Sequence, residues 1–306
     1  MRARRLGSKG PEVSVVGLGC NNFGMRVDLE GTRAVVDAAL DAGVTLLDTA
    51  DIYGNRGGSE SFLGEVLEGR RDRVVLATKF GGNMRDGTSA RGSRSYIRKA
   101  IGASLQRLRT DYVDLYQYHT PDRVTPFEET FAALDELVRE GKVRYVGHSN
   151  LEPSEIEEVD ALARARGWAR PVSAQNEYSL LQREAEAELL PTCERLGIGV
   201  LPYFPLASGL LTGKYRRGQP RPEGARLSDR DDMLTDEKFD RIEALERYAE
   251  ERGLTLLQVA IGGLLAQPAI ASVIAGATKP EQVRANVAAG EWEPTAEDLA
   301  ALNALR

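Results

Sequence analysis

Four residues carry groups that could together move a proton onto a carbonyl oxygen. Asp48 and Tyr53 share the segment Asp48-Thr49-Ala50-Asp51-Ile52-Tyr53-Gly54, Lys79 follows the apolar run 74–78, and His119 follows the run 113–118. A free tyrosine has a pKa of about 10, too high to give up its proton readily at neutral pH. A lysine ammonium beside it stabilises the phenolate and lowers that value. An aspartate beside the lysine keeps it charged and fixes its direction, and an imidazole can hydrogen-bond a substrate oxygen and orient the carbonyl. Such a set polarises a C=O and protonates the oxyanion. It supplies no electrons, so a hydride donor has to bind beside it. Taken singly, Asp48 or Lys79 reads as a structural ion pair, Tyr53 as packing in a Tyr-Gly turn, and His119 as a helix cap. What favours chemistry is their conjunction at successive strand ends. His148, the other histidine, lies inside a predicted strand and reads as structural.

The elements that must position these groups follow from periodicity. Short apolar runs rich in Val, Ile, Leu and Tyr begin near Val16, Thr45, Val74, Val113, Val143, Val172, Ile198 and Ile270. The first seven recur at intervals of roughly 30 residues. Between them lie amphipathic patterns, such as Ile97, Ile101, Leu105 and Leu108 on one helical face, and Phe131, Leu134, Leu137 and Val138 on another. Strands alternating with helices make βαβ units and a parallel sheet. An open doubly wound sheet usually carries Gly-x-Gly-x-x-Gly after its first strand. Here Gly17-Leu18-Gly19-Cys20-Asn21-Asn22 lacks the third glycine. The predicted fold is therefore α/β, a closed (β/α)8 barrel, whose chemistry belongs at the carboxyl ends of the strands.

The remainder of the chain is read as trim on that barrel, one domain over 1–306. Gly7-Ser8-Lys9-Gly10 signals a turn, and residues 1–15 a β-hairpin capping the bottom of the barrel. About 70 residues separate the seventh and eighth strands, and 213–235, rich in charge, Gly and Pro, is expected to form a mobile loop over the active-site face. Thr295-Ala296-Glu297-Asp298 resembles a capping signal for an extra C-terminal helix through Leu305. The apolar stretch 259–277 contains Pro268 and three glycines, and reads as helix, turn and buried strand, not as a membrane span.

Composition closes off other classes. The chain has 306 residues, 42% hydrophobic and 28% charged, with a net charge of −6. A mildly acidic protein of this kind has no general attraction to nucleic acid or anionic lipid. Two cysteines, Cys20 and Cys193, cannot build a disulfide framework and suit a reducing, cytoplasmic setting. The basic start is followed by no apolar region, so it is not read as a secretory signal. No metal site is read, and the state is left as monomer or homo-oligomer.

At the level of motifs the chain resembles the aldo-keto reductase family, in the branch of bacterial reductases and potassium-channel β-subunits. The resemblance rests on Gly17-Leu18-Gly19, the Asp48–Gly54 segment, Ala77-Thr78-Lys79-Phe80, Ser104-Leu105-Gln106-Arg107-Leu108, Asp114-Leu115-Tyr116-Gln117-Tyr118-His119, Gly147-His148-Ser149-Asn150, Gln175-Asn176-Glu177-Tyr178, Tyr203-Phe204-Pro205-Leu206, and Gly276-Ala277-Thr278 with Asn286. It implies a catalytic tetrad: Tyr53 as proton donor, Lys79 and Asp48 as its tuners, and His119 as carbonyl orienter. It also implies an extended NADPH as cofactor and a small-molecule carbonyl substrate. Ser149, Asn150 and Gln175 would hold the carboxamide, and Tyr203 would stack on the nicotinamide. Gly19, Cys20 and Asn21 join this set, with Asp48 itself, at the end of the first strand. Phe204, Pro205, Leu206, Ser208 and Lys214 would approach the pyrophosphate, and Gly276, Thr278, Lys279, Gln282 and Asn286 the adenosine end. Gln282 stands where many members carry an arginine for the 2′-phosphate, and Phe204 where serine is usual. The resemblance leaves a second role open, an NADPH-holding redox sensor or partner-binding module with slow turnover. Substrate choice is assigned to the loops 21–25, 80–93 and 213–235.

Overall fold

The computed structural model describes residues 1–220, 227 and 234–305. A short antiparallel hairpin, β1 (Ala3–Arg5) and β2 (Glu12–Ser14), precedes eight parallel strands: β3 (Val16–Gly19), β4 (Leu46–Asp48), β5 (Val75–Phe80), β6 (Val113–Tyr118), β7 (Val143–Ser149), β8 (Ser173–Gln175), β9 (Gly199–Val200) and β10 (Val273–Gly276). Their order is β10-β3-β4-β5-β6-β7-β8-β9. The two ends meet through a parallel bridge between Val200 and Ile270. There the Val200 N–H donates to Ala269 O (2.7 Å) and the Ala271 N–H to Val200 O (3.0 Å). The eighth apolar run thus plays two parts. Ile270 closes the sheet onto β9, and only from Val273 does the chain pair with β3, which is why the regular strand begins later than the run itself.

Alternation along each strand explains why the runs are apolar throughout: one set of side chains fills the barrel and the other meets the helices. Leu46, Ala77, Leu115, Leu201, Ala271 and Ile274 form the interior cluster. Leu47, Leu76, Tyr116 and Tyr118 belong to the outer layer. The helices are α1 (Leu29–Asp41), α2 (Tyr53–Val66), α3 (Arg94–Leu108), α4 (Phe127–Arg139), α5 (Pro153–Arg166), α6 (Leu189–Leu196), α7 (Asp236–Glu251), α8 (Leu256–Leu265), α9 (Pro280–Ala289) and α10 (Ala296–Ala304). The stripe predicted for α3 buries Ile97, Ile101 and Leu108. Ser93 caps its start by accepting from the Tyr96 N–H, and Arg109, at φ 52°, ends it in the left-handed region. The extra C-terminal helix is α10, opened by a reciprocal cap between Thr295 and Asp298. The stretch 259–277 divides into the end of α8, a turn and β10, and no described helix is long and apolar enough to cross a membrane.

The hairpin closes the barrel at the end where the strands begin. Leu6 and Val13 are fully buried in the interior cluster beside Val172. The Ser8 N–H donates to Gly197 O (2.7 Å), and the Ser14 N–H to Thr45 Oγ1 (2.8 Å). The long connection after β9 carries α7 as well as α8. Most of the loop expected over 213–235 lies outside the described residues. Of the rest, Tyr215 and Leu227 are buried, and the Leu227 N–H donates to Tyr215 Oη (3.1 Å).

Candidate active site

Strand polarity and alternation bring the four chemical groups to one mouth. Asp48 ends β4, and Lys79 is the inward-facing residue next to the end of β5. His119 follows β6, and Tyr53 begins α2 five residues beyond Asp48. Lys79 Nζ donates to Asp48 Oδ2 (2.7 Å), to Thr49 O (2.9 Å) and to Tyr53 Oη (3.4 Å). The Tyr53 and His119 rings meet edge to face with centroids 5.7 Å apart. Lys79 is fully buried and Asp48 nearly so. A buried ammonium of this kind has to be paired and hydrogen-bonded, and all three of its donors are satisfied.

Burial sets the titration behaviour of the site. It pulls the Lys79 pKa down, but Asp48 and then Tyr53 outweigh it, so the net direction is up and the ammonium stays charged. Burial pushes the Tyr53 phenol up, and Lys79 pulls against it without prevailing, with Asp48 adding to the rise. Lys79 thus lowers the phenol as the sequence reading expects, while burial, which that reading did not weigh, sets the net direction. The ammonium lies closer to Asp48 than to the phenol, so much of its field is neutralised before it reaches Tyr53. His119 is pushed down to about 3, by burial first and by Lys79 second. It is a neutral imidazole whose Nδ1 is buried without a protein partner. His148 lies wholly buried in β7 on the outward face, also held neutral by burial.

Around the four groups lies a second ring of polar side chains. Gln175 Nε2 donates to Asp48 Oδ1 (3.0 Å), and Gln117 Nε2 reaches the same oxygen (3.3 Å). Asn150 Nδ2 donates to His119 O (2.9 Å) and to Ser149 Oγ (3.0 Å), while Tyr203 Oη donates to Asn150 Oδ1 (2.9 Å). Ser149, Asn150 and Tyr203 form one connected rim, tied to Gln175 by the Asn150 N–H, which donates to Gln175 O (3.1 Å). Gln117 was not singled out from sequence, although it sits two residues before His119 on the same strand face. Ser173 Oγ donates to its Oε1 (3.1 Å). Gly147 makes room for this pair, because a Cβ there would come 2.1 Å from Ser173 Oγ.

The remaining predicted residues fall into three further groups. Gly19 pairs in register with Asp48 on one side and with Gly276 on the other, and Asn21 lies against Gly276. Cys20 is completely buried with its N–H bonded to Asp48 O (2.9 Å), which places it behind the site. Phe204 and Ser208 both adopt positive φ, 51° and 58°, on either side of Pro205 and Leu206. Phe204 is 41% exposed and stands edge-on to Tyr203 at 5.3 Å. Lys214 packs against Gly209, three residues after Leu206. At the start of α9, Gln282 Oε1 accepts from the Thr278 N–H (2.7 Å) and Oγ1 (3.1 Å), Lys279 is exposed, and Asn286 is buried. The donor set suits a nicotinamide cofactor: amide and hydroxyl groups for a carboxamide, an aromatic face at the rim, and cations at Lys214 and Lys279 for phosphates.

The same constellation is reflected in comparisons with known proteins. The model of the aldo/keto reductase family matches residues 15–306. This chain belongs to the aldo/keto reductase family. It is 38% identical to the uncharacterized oxidoreductase YrpG of Bacillus subtilis, over 97% of this chain and 94% of that protein. It is 36% identical to the L-glyceraldehyde 3-phosphate reductase of Escherichia coli, over 94% and 87%. It is 35% identical to a probable voltage-gated potassium channel subunit beta of rice, over 94% and 91%. Membership of the aldo/keto reductase family implies NAD(P)H-dependent oxidoreduction of small-molecule carbonyl compounds.

Proposed function

We propose that this aldo/keto reductase reduces aldehydes or ketones to alcohols with NADPH, and that Tyr53 is the proton donor. The carrying observation is the Lys79 ammonium, which bonds Asp48 and Tyr53 at once beside a neutral His119. The bound nicotinamide supplies the hydride. Ser149, Asn150 and Gln175 would hold its carboxamide, and Tyr203 would stack on its ring. His119 cannot act as acid at neutral pH, since its pKa lies near 3, but its N–H can hold and orient a carbonyl oxygen. The Tyr53 phenol, protonated at neutral pH, carries the proton that the developing alkoxide takes. Lys79 stabilises the phenolate left behind, and Asp48 keeps Lys79 in place.

Tyr53→Phe tests the reading. The ring remains and only the acidic hydroxyl goes, so NADPH binding should persist while kcat falls on the order of 10²–10⁴-fold. A Phe variant that turns over a good aldehyde near the wild-type rate would remove Tyr53 from this role. Phosphorylated aldehydes belong in the substrate panel because of the Escherichia coli relative. The likeness to a channel β-subunit supports a second reading, an NADPH-holding partner module. Cofactor binding without turnover of any member of the panel would favour it.

A further inference from the structure

We propose that Ser59, Glu60 and Arg107 form a buried clamp that positions Tyr53 against Lys79, so that the outer face of the barrel sets the geometry of the tetrad. The inference rests on the reading of Tyr53 and Lys79 just given. None of the three touches the reacting groups; they are positioning residues.

The clamp follows from strand alternation. Asp48 and Lys79 point into the barrel, so their neighbours Thr49 and Thr78 point out, towards α2. Two adjacent residues of α2 meet them there. Ser59 Oγ donates to Cys20 O (2.8 Å) and pairs with Thr49 Oγ1 (2.8 Å). With its own proton on Cys20 O, Ser59 accepts the threonine's. Glu60 Oε1 accepts from Thr78 Oγ1 (2.6 Å), and Oε2 accepts from Arg107 Nε (2.7 Å) on α3. Arg107 Nη2 lies at the same distance from Oε2, 2.7 Å. Glu60, Ser59, Thr49 and Thr78 are all fully buried. The Thr49 carbonyl is also the second anchor of the Lys79 ammonium. One dipeptide therefore holds Lys79 from both sides: through Thr49, whose carbonyl it bonds, and through Thr78, which precedes it.

The same helix carries Tyr53. Between Tyr53 and Ser59 the chain runs through four consecutive residues at positive φ: Gly54 (65°), Asn55 (57°), Arg56 (69°) and Gly57 (117°). Asn55 and Arg56 are in a conformation that L-residues avoid, and such a turn persists only where its surroundings over-determine it. Gly57 shows what determines it. A Cβ there would lie 2.6 Å from Arg107 Cδ, so Arg107 reaches Glu60 across the bare face of Gly57. The turn is fixed at one end by Tyr53 and at the other by the clamp. The charges facing this region are Asp51, which lies near Glu60 and Arg107, and Lys79 with Asp48 on the inner side.

Releasing the clamp lets the turn relax and moves the phenol away from the ammonium. Two mild substitutions test this: Thr78→Val, isosteric and uncharged, and Arg107→Lys, which keeps the charge and loses the fork. Both are measured beside wild type and Tyr53→Phe. The expected result is a kcat lower by about 10- to 100-fold with cofactor affinity close to wild type, read at temperatures where each variant is fully folded, since Glu60 left short of a buried partner lowers the unfolding midpoint. The Tyr53 phenol, assigned by the band missing from Tyr53→Phe in an ultraviolet titration of the cofactor-free protein, should titrate at higher pH. In the Tyr53→Phe background Thr78→Val should cause no further loss. Unchanged kcat and an unchanged phenol titration in the folded variants overturn the clamp. So does a loss of kcat that only follows loss of folded protein. If Tyr53→Phe is itself fully active, the tetrad reading fails first, and the phenol titration still reports on the clamp.

Discussion

At the scale of single residues, the site shows burial competing with charge, and burial decides more often than proximity. Lys79 lies within hydrogen-bond range of Tyr53, yet the phenol remains above its ordinary value. Asp51 shows the same contest in an acid. It is 2% exposed, and its carboxyl meets only the Ile52 amide, outside full hydrogen-bond geometry. Burial first and Glu60 second push its pKa up to about 7, with Arg107 opposing. The consequence for stability has a definite sign. In the unfolded chain the group ionises near the ordinary 3.8, whereas in the folded chain it keeps its proton until about 7. Below about pH 4 both states are protonated and nothing is lost; between the two values stability falls as pH rises, and above about 7 the penalty is complete. Asp51→Asn should therefore gain stability over wild type at pH 8 and almost none at pH 4, read as the difference in denaturant midpoint. Equal midpoints at both pH values would show that Asp51 ionises normally inside the fold. Of the four candidate catalytic residues, Asp48, Lys79 and His119 were legible in sequence because each follows an apolar run at the carboxyl end of a barrel strand, and Tyr53 because it shares the segment of Asp48. Glu60 and Arg107 were not, because a buried ion pair between two helices has no strand end to mark it, and Ser-Glu inside a helix looks like a solvated face.

At the scale of elements, the eight strands and their order were legible because a barrel strand buried on both faces leaves an unbroken apolar run. The shift of the eighth strand to Val273 was not, since periodicity cannot say which neighbour a run will pair with. In the proposed NADPH reading, the start of α9 would meet the adenosine end. Gln282, in place of an expected arginine, has its amide oxygen engaged by Thr278 in a cap of the helix start. Two cations then belong to this element: Lys279, exposed at the N-cap position, and Arg284, a turn further on beside Glu281; at the helix start it is Lys279 that could face a 2′-phosphate. An ammonium makes a point contact and not a bidentate grip, so selectivity should be real but moderate. Lys279→Ala should weaken NADPH by about 1–3 kcal/mol while barely changing NADH. Titration of both cofactors against both proteins gives the answer. Equal weakening would mean that Lys279 does not read the phosphate.

At the scale of the whole molecule, the barrel separates stability from chemistry along its axis. The tetrad gathers at the carboxyl ends of β4, β5 and β6, while the hairpin closes the end where the strands begin. Leu6 is the plug: fully buried, it lies in one cluster with Val13, Leu46, Leu115, Val172 and Leu201. Its backbone is fixed by the turn that follows, where the Gly10 N–H donates to Leu6 O (3.1 Å) and the Leu6 N–H to Pro11 O (2.8 Å). The surrounding strands are tied to one another around the closed sheet and cannot collapse far into a space left at its end. Leu6→Ala should then cost near the upper part of the 2–5 kcal/mol range for removing a buried leucine. The tetrad, at the opposite end of strands that stay paired, should keep its geometry. The expected outcome is a lower denaturant midpoint with kcat, cofactor affinity and the pH profile unchanged at temperatures where the variant is fully folded. A fall in kcat in the folded variant would show that packing at the closed end reaches the mouth through the strands. The separation along the axis would then fail, and the hairpin would have to be counted with Glu60 and Arg107 among the parts that hold Tyr53 in place.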